Sequence, residues 1–370
     1  MTDAGDTAIP GELAALLARF HFDRVPFEEL RARLAAAGPD LERLHRISEP
    51  IEVPADDVAH ALPAPGTAQR ERAEALGREL VANGELAAVV LAGGMATRFG
   101  SQVKALAPVL DGRELTFLDL KLADLGRLGV DVTLMTSFAT HDALADAVAG
   151  TAVELAPQLV SLRLSADGSL FLGNDGSPSP HAPGHGDLAD ALEIAGAFER
   201  YREAGVRTLF VCNVDNVGAT LDPLLAGLHR SLGGAVTAEL VSKRPGDAGG
   251  LPVRRVDGSL AIAEAFRVPE GFPHERFPLF NTNTLWIDVA ALEQPAEYTW
   301  SVARKAVDGR EAIQLERLVG ELTWWHPSRY VHVPRDGAES RFVPVKDSGD
   351  LAAAQEQIAA ICRERLGLEL

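Results

Sequence analysis

A short uncharged run, Leu86-Ala87-Ala88-Val89-Val90-Leu91, enters a glycine-rich stretch, Ala92-Gly93-Gly94-Met95-Ala96-Thr97-Arg98-Phe99-Gly100. This junction constrains the fold more than any other part of the chain. Consecutive apolar residues without polar alternation predict a strand buried on both faces, the habit of strands in a parallel sheet. Leu115, Leu118, Leu122 and Leu125 then fall at helical spacing, so the loop is expected to join a buried strand to a helix over about 114–128. Glycines let backbone approach a ligand closely, and free N–H groups near a helix N-terminus attract anions. Arg98 and Lys104 add cations in a chain whose formal net charge is −18. The expectation is a phosphate site. The loop fits neither common nucleotide fingerprint. A dinucleotide loop needs G-x-G-x-x-G, and a P-loop ends in Gly-Lys-Ser/Thr, whereas here Ser101 follows Gly100.

The remaining chain extends the same pattern. Strands are expected at 130–136, 159–172 (one or two, around Asp167-Gly168) and 208–213, with helices at 141–148, 187–204 and 221–232. Such alternation predicts an α/β fold, a mostly parallel central sheet flanked by helices. A strand-rich stretch follows at 235–242, 251–256, 260–265 and 279–287, with a hairpin turn at Asp257-Gly258, and a last helix runs over 350–366. Residues 1–80 read as an N-terminal helical segment packed on the core. Pro26 and Pro39 break its helices, 51–65 is irregular, 67–80 is helical, and none of it carries chemistry. Residues 81–346 form the main domain and 347–370 the C-terminal helix.

Acidity makes a nucleic-acid surface unlikely without excluding a small anionic ligand. Cys212 and Cys362 give no disulfide framework and no zinc site. There is no basic leader and no apolar run of membrane-spanning length, so a cytoplasmic protein is expected.

Several polar clusters punctuate the strands. Pro183-Gly184-His185-Gly186-Asp187 precedes a helix, with Asp187 expected as N-cap and His185 as a donor to hydroxyl or phosphate. A capped turn with a structural histidine would look the same. Asn213-Val214-Asp215-Asn216 follows a strand at its C-terminal end, where open α/β sheets bind ligands. Asp215 there suits Mg²⁺, although an Asx-rich turn has the same composition. Gly250, Glu264, Asn281 and Asn283 suit a polyol, and the two asparagines, two apart on a strand, are expected to share a face. Lys346 ends the apolar stretch Arg341-Phe342-Val343-Pro344-Val345, a place where most lysines are simply solvated.

The glycine loop resembles the G-G-x-G-T-R-x-G loop of sugar-1-phosphate nucleotidyltransferases. Taken in order, Leu134-Met135-Thr136-Ser137-Phe138, Pro183–Asp187, Asn213–Thr220, Lys243–Gly250, Phe280–Trp286 and Arg341–Lys346 resemble the motifs of the eukaryotic-type UDP-glucose pyrophosphorylase (UTP–glucose-1-phosphate uridylyltransferase) family. The likeness runs from about Leu86 to Leu351.

The resemblance implies a Rossmann-like nucleotidyltransferase domain and a Mg²⁺-dependent reaction. A sugar 1-phosphate and a nucleoside triphosphate, UTP and glucose 1-phosphate in the family, would give an NDP-sugar and pyrophosphate. It implies Leu91, Gly93, Gly94, Thr97, Gln158 and Gly184 around the nucleotide. Arg98 and Lys104 would lie on its phosphates, and Asp215 on the metal. His185, Asn213, Gly250, Glu264, Asn281 and Asn283 would hold the sugar phosphate, with Lys346 bridging the two phosphates.

Departures cluster near the nucleotide. Ala96 replaces a glycine, Thr136 replaces an asparagine, the surroundings of Gln158 differ, and Lys104 stands one residue earlier than the family's lysine. They keep another nucleotide such as GTP, and another sugar or cyclitol 1-phosphate, in view. A non-catalytic sensor of nucleotide or sugar phosphate is the alternative of a different class. The family's C-terminal β-helix domain has no counterpart, so a monomer or small homo-oligomer is expected.

Overall fold

The computed structural model describes residues 9–38, 40–54, 58–96, 102–247, 249–337 and 339–369. Two short helices open the chain, α1 (Gly11–Arg19) and α2 (Arg24–Ala37). The break between them falls at His21, whose φ is +53°, and not at Pro26. Pro26 sits in the first turn of α2, where its missing N–H has no helical partner to lose. The stretch expected to be irregular carries two-residue strands, β1 (Ile51–Glu52) and β2 (His60–Ala61). Thr67 then caps α3 (Ala68–Ala82).

The core begins with β3 (Leu86–Leu91), followed by a small hairpin of β4 (Met95–Ala96) and β5 (Gln102–Val103). Helix α4 (Phe117–Gly126) starts well after the glycine loop and closes its own N-terminus with a Thr116–Asp119 capping box. Its free N–H groups are therefore not what the loop offers a ligand, contrary to the expectation. Next come β6 (Asp131–Thr136), α5 (His141–Ala147), β7 (Glu154–Pro157), β8 (Ser161–Leu162) and β9 (Pro180–His181). The single helix expected over 187–204 is two, α6 (Leu188–Ile194) and α7 (Ala197–Ala204), divided at Ala195-Gly196.

Strand β10 (Thr208–Asn213), α8 (Pro223–Leu232) and β11 (Val236–Ser242) precede a hairpin of β12 (Gly250–Arg255) and β13 (Leu260–Glu264), turned at Asp257-Gly258 as expected. Then follow β14 (Leu279–Asp288), α9 (Val289–Leu292), the hairpin β15 (Ser301–Val307) and β16 (Arg310–Glu316), α10 (Leu322–Trp325), β17 (Ser328–His332) and α11 (Ser348–Glu364).

The main sheet has the order β2-β17-β11-β14-β10-β3-β6-β7. Every neighbouring pair is parallel except those of β14, which runs antiparallel to both β10 and β11. All of β3 is buried. Leu86, Ala88 and Val90 face one core with Leu118, Leu224 and Ile358, whereas Ala87, Val89 and Leu91 face the other with Leu188, Phe198 and Leu292. That two-sided burial is why the strand reads as an unbroken apolar run. The N-terminal helices form a third cluster, in which Leu17, Phe20, Phe27 and Leu34 pack on Leu162, Val302 and Ile313. They support the β15–β16 hairpin. Among the described residues no helix is long and apolar enough to cross a membrane.

Candidate active site

Leu91 and Asn213 end neighbouring parallel strands in register, with Met135 beside Leu91 on the other side. The chain leaves β3 toward β6 on one flank and returns as β10 on the other. Ligand crevices form beyond the carboxyl ends of strands at such a switch point. Two cavities open there and share His185, Asn213 and Asp215, one of about 560 Å³ and one of about 230 Å³. All the described residues expected at the site line one or both: Leu91, Gly93, Gly94, Lys104, Gln158 and Gly184 the larger, Gly250, Glu264, Asn281, Asn283 and Lys346 the smaller. Thr97 and Arg98 lie outside the described residues.

Backbone shapes the larger cavity. A Cβ on Gly93 would stand 2.2 Å from Gln158 Nε2, so a side chain there would displace that amide. The Ser137 hydroxyl donates to the Gly93 carbonyl at 2.8 Å and pins the loop. Gly184 N–H donates to Gln158 Oε1 at 3.2 Å. The amide oxygen of Gln158 is thus engaged internally, and its NH₂ remains as the group that can donate to a ligand. Gly184 has φ +101°, and a Cβ there would meet the Arg317 carbonyl at 2.7 Å.

Asp187 does not cap α6 with its side chain. Its carboxylate is fully buried, accepts from Leu159 N–H at 3.1 Å, and pairs with the Arg317 guanidinium. Burial pushes Asp187 up to about 6 against the pull of Arg317. The pair is ionised at neutral pH, and it ties the Gly184 turn to the strand end carrying Gln158. His185 Nδ1 accepts from Val319 N–H at 3.0 Å. Burial lowers its pKa to about 4, so the ring is neutral and Nε2 carries the proton. His185 is a donor that both cavities share.

Lys104 and Asp215 meet at the seam, Nζ to Oδ2 at 2.5 Å. Asp215 is fixed by its backbone, whose carbonyl accepts from Val345 N–H at 3.0 Å. Asn216 next to it accepts from Val343 N–H at 2.8 Å and donates to the Arg341 carbonyl at 3.1 Å. Arg341 is buried and holds Glu239 at two points, 2.7 and 2.6 Å. Asn216 and Arg341 are therefore framework: they lock the Asp215 turn to the segment that ends in Lys346. The Lys346 ammonium is exposed at the rim and forms no ion pair with a carboxylate among the described residues.

Side chains shape the smaller cavity. Asn281 and Asn283 do not alternate regularly, because β14 bulges opposite Glu239 and Asn283 takes φ +60°. The bulge turns Asn283 so that Nδ2 donates to Asn213 Oδ1 at 3.0 Å, and both asparagines still line the cavity. Glu264 has no cationic partner in hydrogen-bond reach among the described residues. Burial raises it to about 7, Glu321 adding to the rise and Arg267 opposing it.

The far wall of the larger cavity is not among the expected elements. Arg163, Lys305, Gln314 and Glu316 line it, with Lys305 paired to Glu316 at 3.2 Å and Arg163 Nε donating to Gln314 at 2.8 Å. A signal was available: Asp308-Gly309 lies between two strand-like stretches, and both residues have positive φ, as a two-residue hairpin turn requires.

A family model described as UTP–glucose-1-phosphate uridylyltransferase matches residues 50–369. UTP–glucose-1-phosphate uridylyltransferase 2 of Dictyostelium discoideum is 28% identical over 307 residues, covering 75% of this chain and 59% of that protein. The uridylyltransferase of Solanum tuberosum is 29% identical over 307 residues, covering 76% and 63%. The chain thus spans about three-fifths of the length of these relatives. Among solved structures, UDP-glucose phosphorylase of Trypanosoma brucei superposes with a TM-score of 0.72 at 22% identity, covering 94% of this chain and 79% of that one. The UDP-N-acetylglucosamine pyrophosphorylase of the same organism gives 0.73 at 19%, covering 95% and 78%. These structures share the fold.

Proposed function

Because the chain belongs to the UTP–glucose-1-phosphate uridylyltransferase family, we propose that it joins UTP to glucose 1-phosphate, forming UDP-glucose and releasing pyrophosphate. One observation carries the proposal. Two cavities of different character meet at His185, Asn213 and Asp215, with Lys104 in one and Lys346 in the other. An oxygen of the sugar phosphate attacks the α-phosphorus. The bond from that phosphorus to the bridging oxygen breaks, and pyrophosphate leaves with the electron pair. Two anions must be brought together, so alignment and fixed positive charge supply the catalysis.

In this reading Leu91, Gly93, Gly94, Gln158 and Gly184 hold the nucleotide, and Gln158 donates to a carbonyl of the base. Thr97 and Arg98 keep the roles that the family resemblance implies. His185 donates to the sugar phosphate. Asn213, Gly250, Glu264, Asn281 and Asn283 hold the sugar, and Lys346 covers the charge that develops between the phosphates.

A divalent cation would take Asp215, whose Oδ2 meets Lys104 in this structure. No group of three or more His, Cys, Asp or Glu gathers among the described residues. Mg²⁺ needs only one or two carboxylates when phosphates complete its shell. Asp215 would hold it, and the ion would neutralise charge on the phosphates.

The test is pyrophosphate release from the four common nucleoside triphosphates against glucose 1-phosphate and a panel of other sugar 1-phosphates. UTP with glucose 1-phosphate should exceed every other pair by about tenfold or more in kcat/KM. Faster release with another pair would replace the substrates and keep the reaction. Ligand binding without release from any pair would overturn the reaction in favour of a sensor.

A further inference from the structure

The β12–β13 hairpin has two ends. Gly250 and Glu264, paired at one end, line the smaller cavity of the candidate site. The tip lines a separate cavity of about 440 Å³, closed on its other side by residues 323–329. This cavity shares no residue with either cavity of the site. Its size falls in the range of about 300–1,000 Å³ usual for small-molecule sites.

Its lining is cationic and aromatic. Arg255 is neutralised by Glu49 at 2.7 and 3.1 Å and lies over the Trp324 ring, 5.0 Å from its centroid. Arg254 and Arg329 bond backbone carbonyls only. Arg254 donates to Gly258 at 3.0 Å, and Arg329 to Leu232 at 3.1 Å and Ser328 at 3.0 Å. Neither has a carboxylate partner among the described residues. Asp257, the acid in the lining, gives Oδ1 to the N–H and O–H of Ser259. Counting Glu49 and Asp257, the site stays positive in a chain of net charge −18. Beside the arginines the indole of Trp325 is 49% exposed. Guanidinium forks match phosphate oxygens, and an indole face stacks on a heteroaromatic ring.

We propose that this cavity binds a free nucleoside monophosphate as an effector, its phosphate on Arg254 and Arg329 and its base on Trp325. The hairpin carries the effect to the sugar side of the site. Trp324 Nε1 donates to the Ile262 carbonyl at 2.6 Å, and Ile262 N–H donates to Thr323 Oγ1 at 2.7 Å. Ile262 stands two residues before Glu264, and its Cγ2 fills the space beside Gly250 where a side chain would otherwise sit. An occupant that grips the tip and Trp324 acts on the strand pair that holds the sugar.

The test is a tryptophan-fluorescence titration of the full chain with AMP, UMP and inorganic phosphate. AMP or UMP should quench saturably, and inorganic phosphate should bind at least about tenfold more weakly. Arg254→Gln with Arg329→Gln should raise the dissociation constant by about tenfold or more. Trp325→Phe, a change at an exposed position, should weaken nucleotide binding and leave phosphate binding unchanged. No saturable change up to about 10 mM, or equal titrations of wild type and the arginine variant, would overturn the site. Phosphate binding as tightly as AMP would overturn the nucleotide assignment. A second arm rests on the proposed reaction. Saturating AMP should shift the sugar 1-phosphate KM by about threefold or more, with the UTP KM unmoved. An unmoved sugar KM, with binding intact, would overturn the coupling alone.

Discussion

The two halves of the cleft are built on opposite principles. Around the larger cavity the shape comes from glycine backbone, where a Cβ on Gly184 would meet the Arg317 carbonyl and one on Gly93 would displace Gln158. Lys104 is paired there with Asp215 and Lys305 with Glu316, while Arg163 is held by Gln314. Around the smaller cavity the shape comes from desolvated polar side chains. Asn281 is 6% exposed, Asn283 is held in a left-handed backbone, and Glu264 carries no ion partner among the described residues. The lesson is that one half should fail by steric intrusion and the other by a change of protonation. Substitutions can test whether the halves are that independent.

The largest effect is expected at Lys346, on the rim of the smaller cavity. Lys346→Ala should lower kcat by about 10²- to 10³-fold with both KM values within about threefold, because fixed charge matters most where charge develops. Steady-state kinetics reads this directly, and an unchanged kcat would overturn the role proposed for Lys346. Next is Gly93→Ala, whose methyl would stand 2.2 Å from Gln158 Nε2. The nucleotide KM should rise about tenfold and the sugar 1-phosphate KM should not move. An equal rise in both would show that the halves are mechanically joined.

The smallest effect concerns Glu264. Its folded pKa of about 7 lies above the ordinary carboxyl value. Stability linked to its proton is fully present below that ordinary value and is lost as pH rises through about 7. Glu264→Gln should therefore abolish a decline in melting temperature that wild type shows between about pH 5 and 8. The sugar 1-phosphate KM of wild type should rise about two- to fivefold as pH falls through 7, and the variant should lack that step. Parallel pH profiles for the two proteins would break the contrast between the halves.

Much of this arrangement was legible in the amino-acid order. Leu86–Leu91 reads as a doubly buried strand because both of its faces are covered. Asp215, His185 and Asn213 were visible because they sit at strand ends and turns, which local sequence marks. What sequence could not supply are properties set by distant residues. Nothing local to Asn283 announces a bulge fixed by β11. Asp187 resembles a helix cap until Arg317 is placed beside it. Trp324 and Trp325 read as two more apolar residues until the hairpin turned at Asp257-Gly258 brings Arg254 and Arg255 alongside. The β15–β16 hairpin was missed for the opposite reason. Its Asp308-Gly309 turn is a strong local signal, both residues taking positive φ.

The order of strands in the sheet also has a consequence for how the protein is made. β3, β6, β7 and β10 all lie within residues 86–213, joined by connections that carry α4, α5, α6 and α7. Contacts between distant parts of a chain must wait for costly loop closure. Asp215 is seated only when Val345 donates to its carbonyl, and Asn216 only when Val343 arrives. On a chain emerging from the ribosome, the strands of the parallel block are therefore made well before the residues that seat Asp215. A chain terminated before Val343 would lack the contacts that hold Asp215 and Asn216 in place.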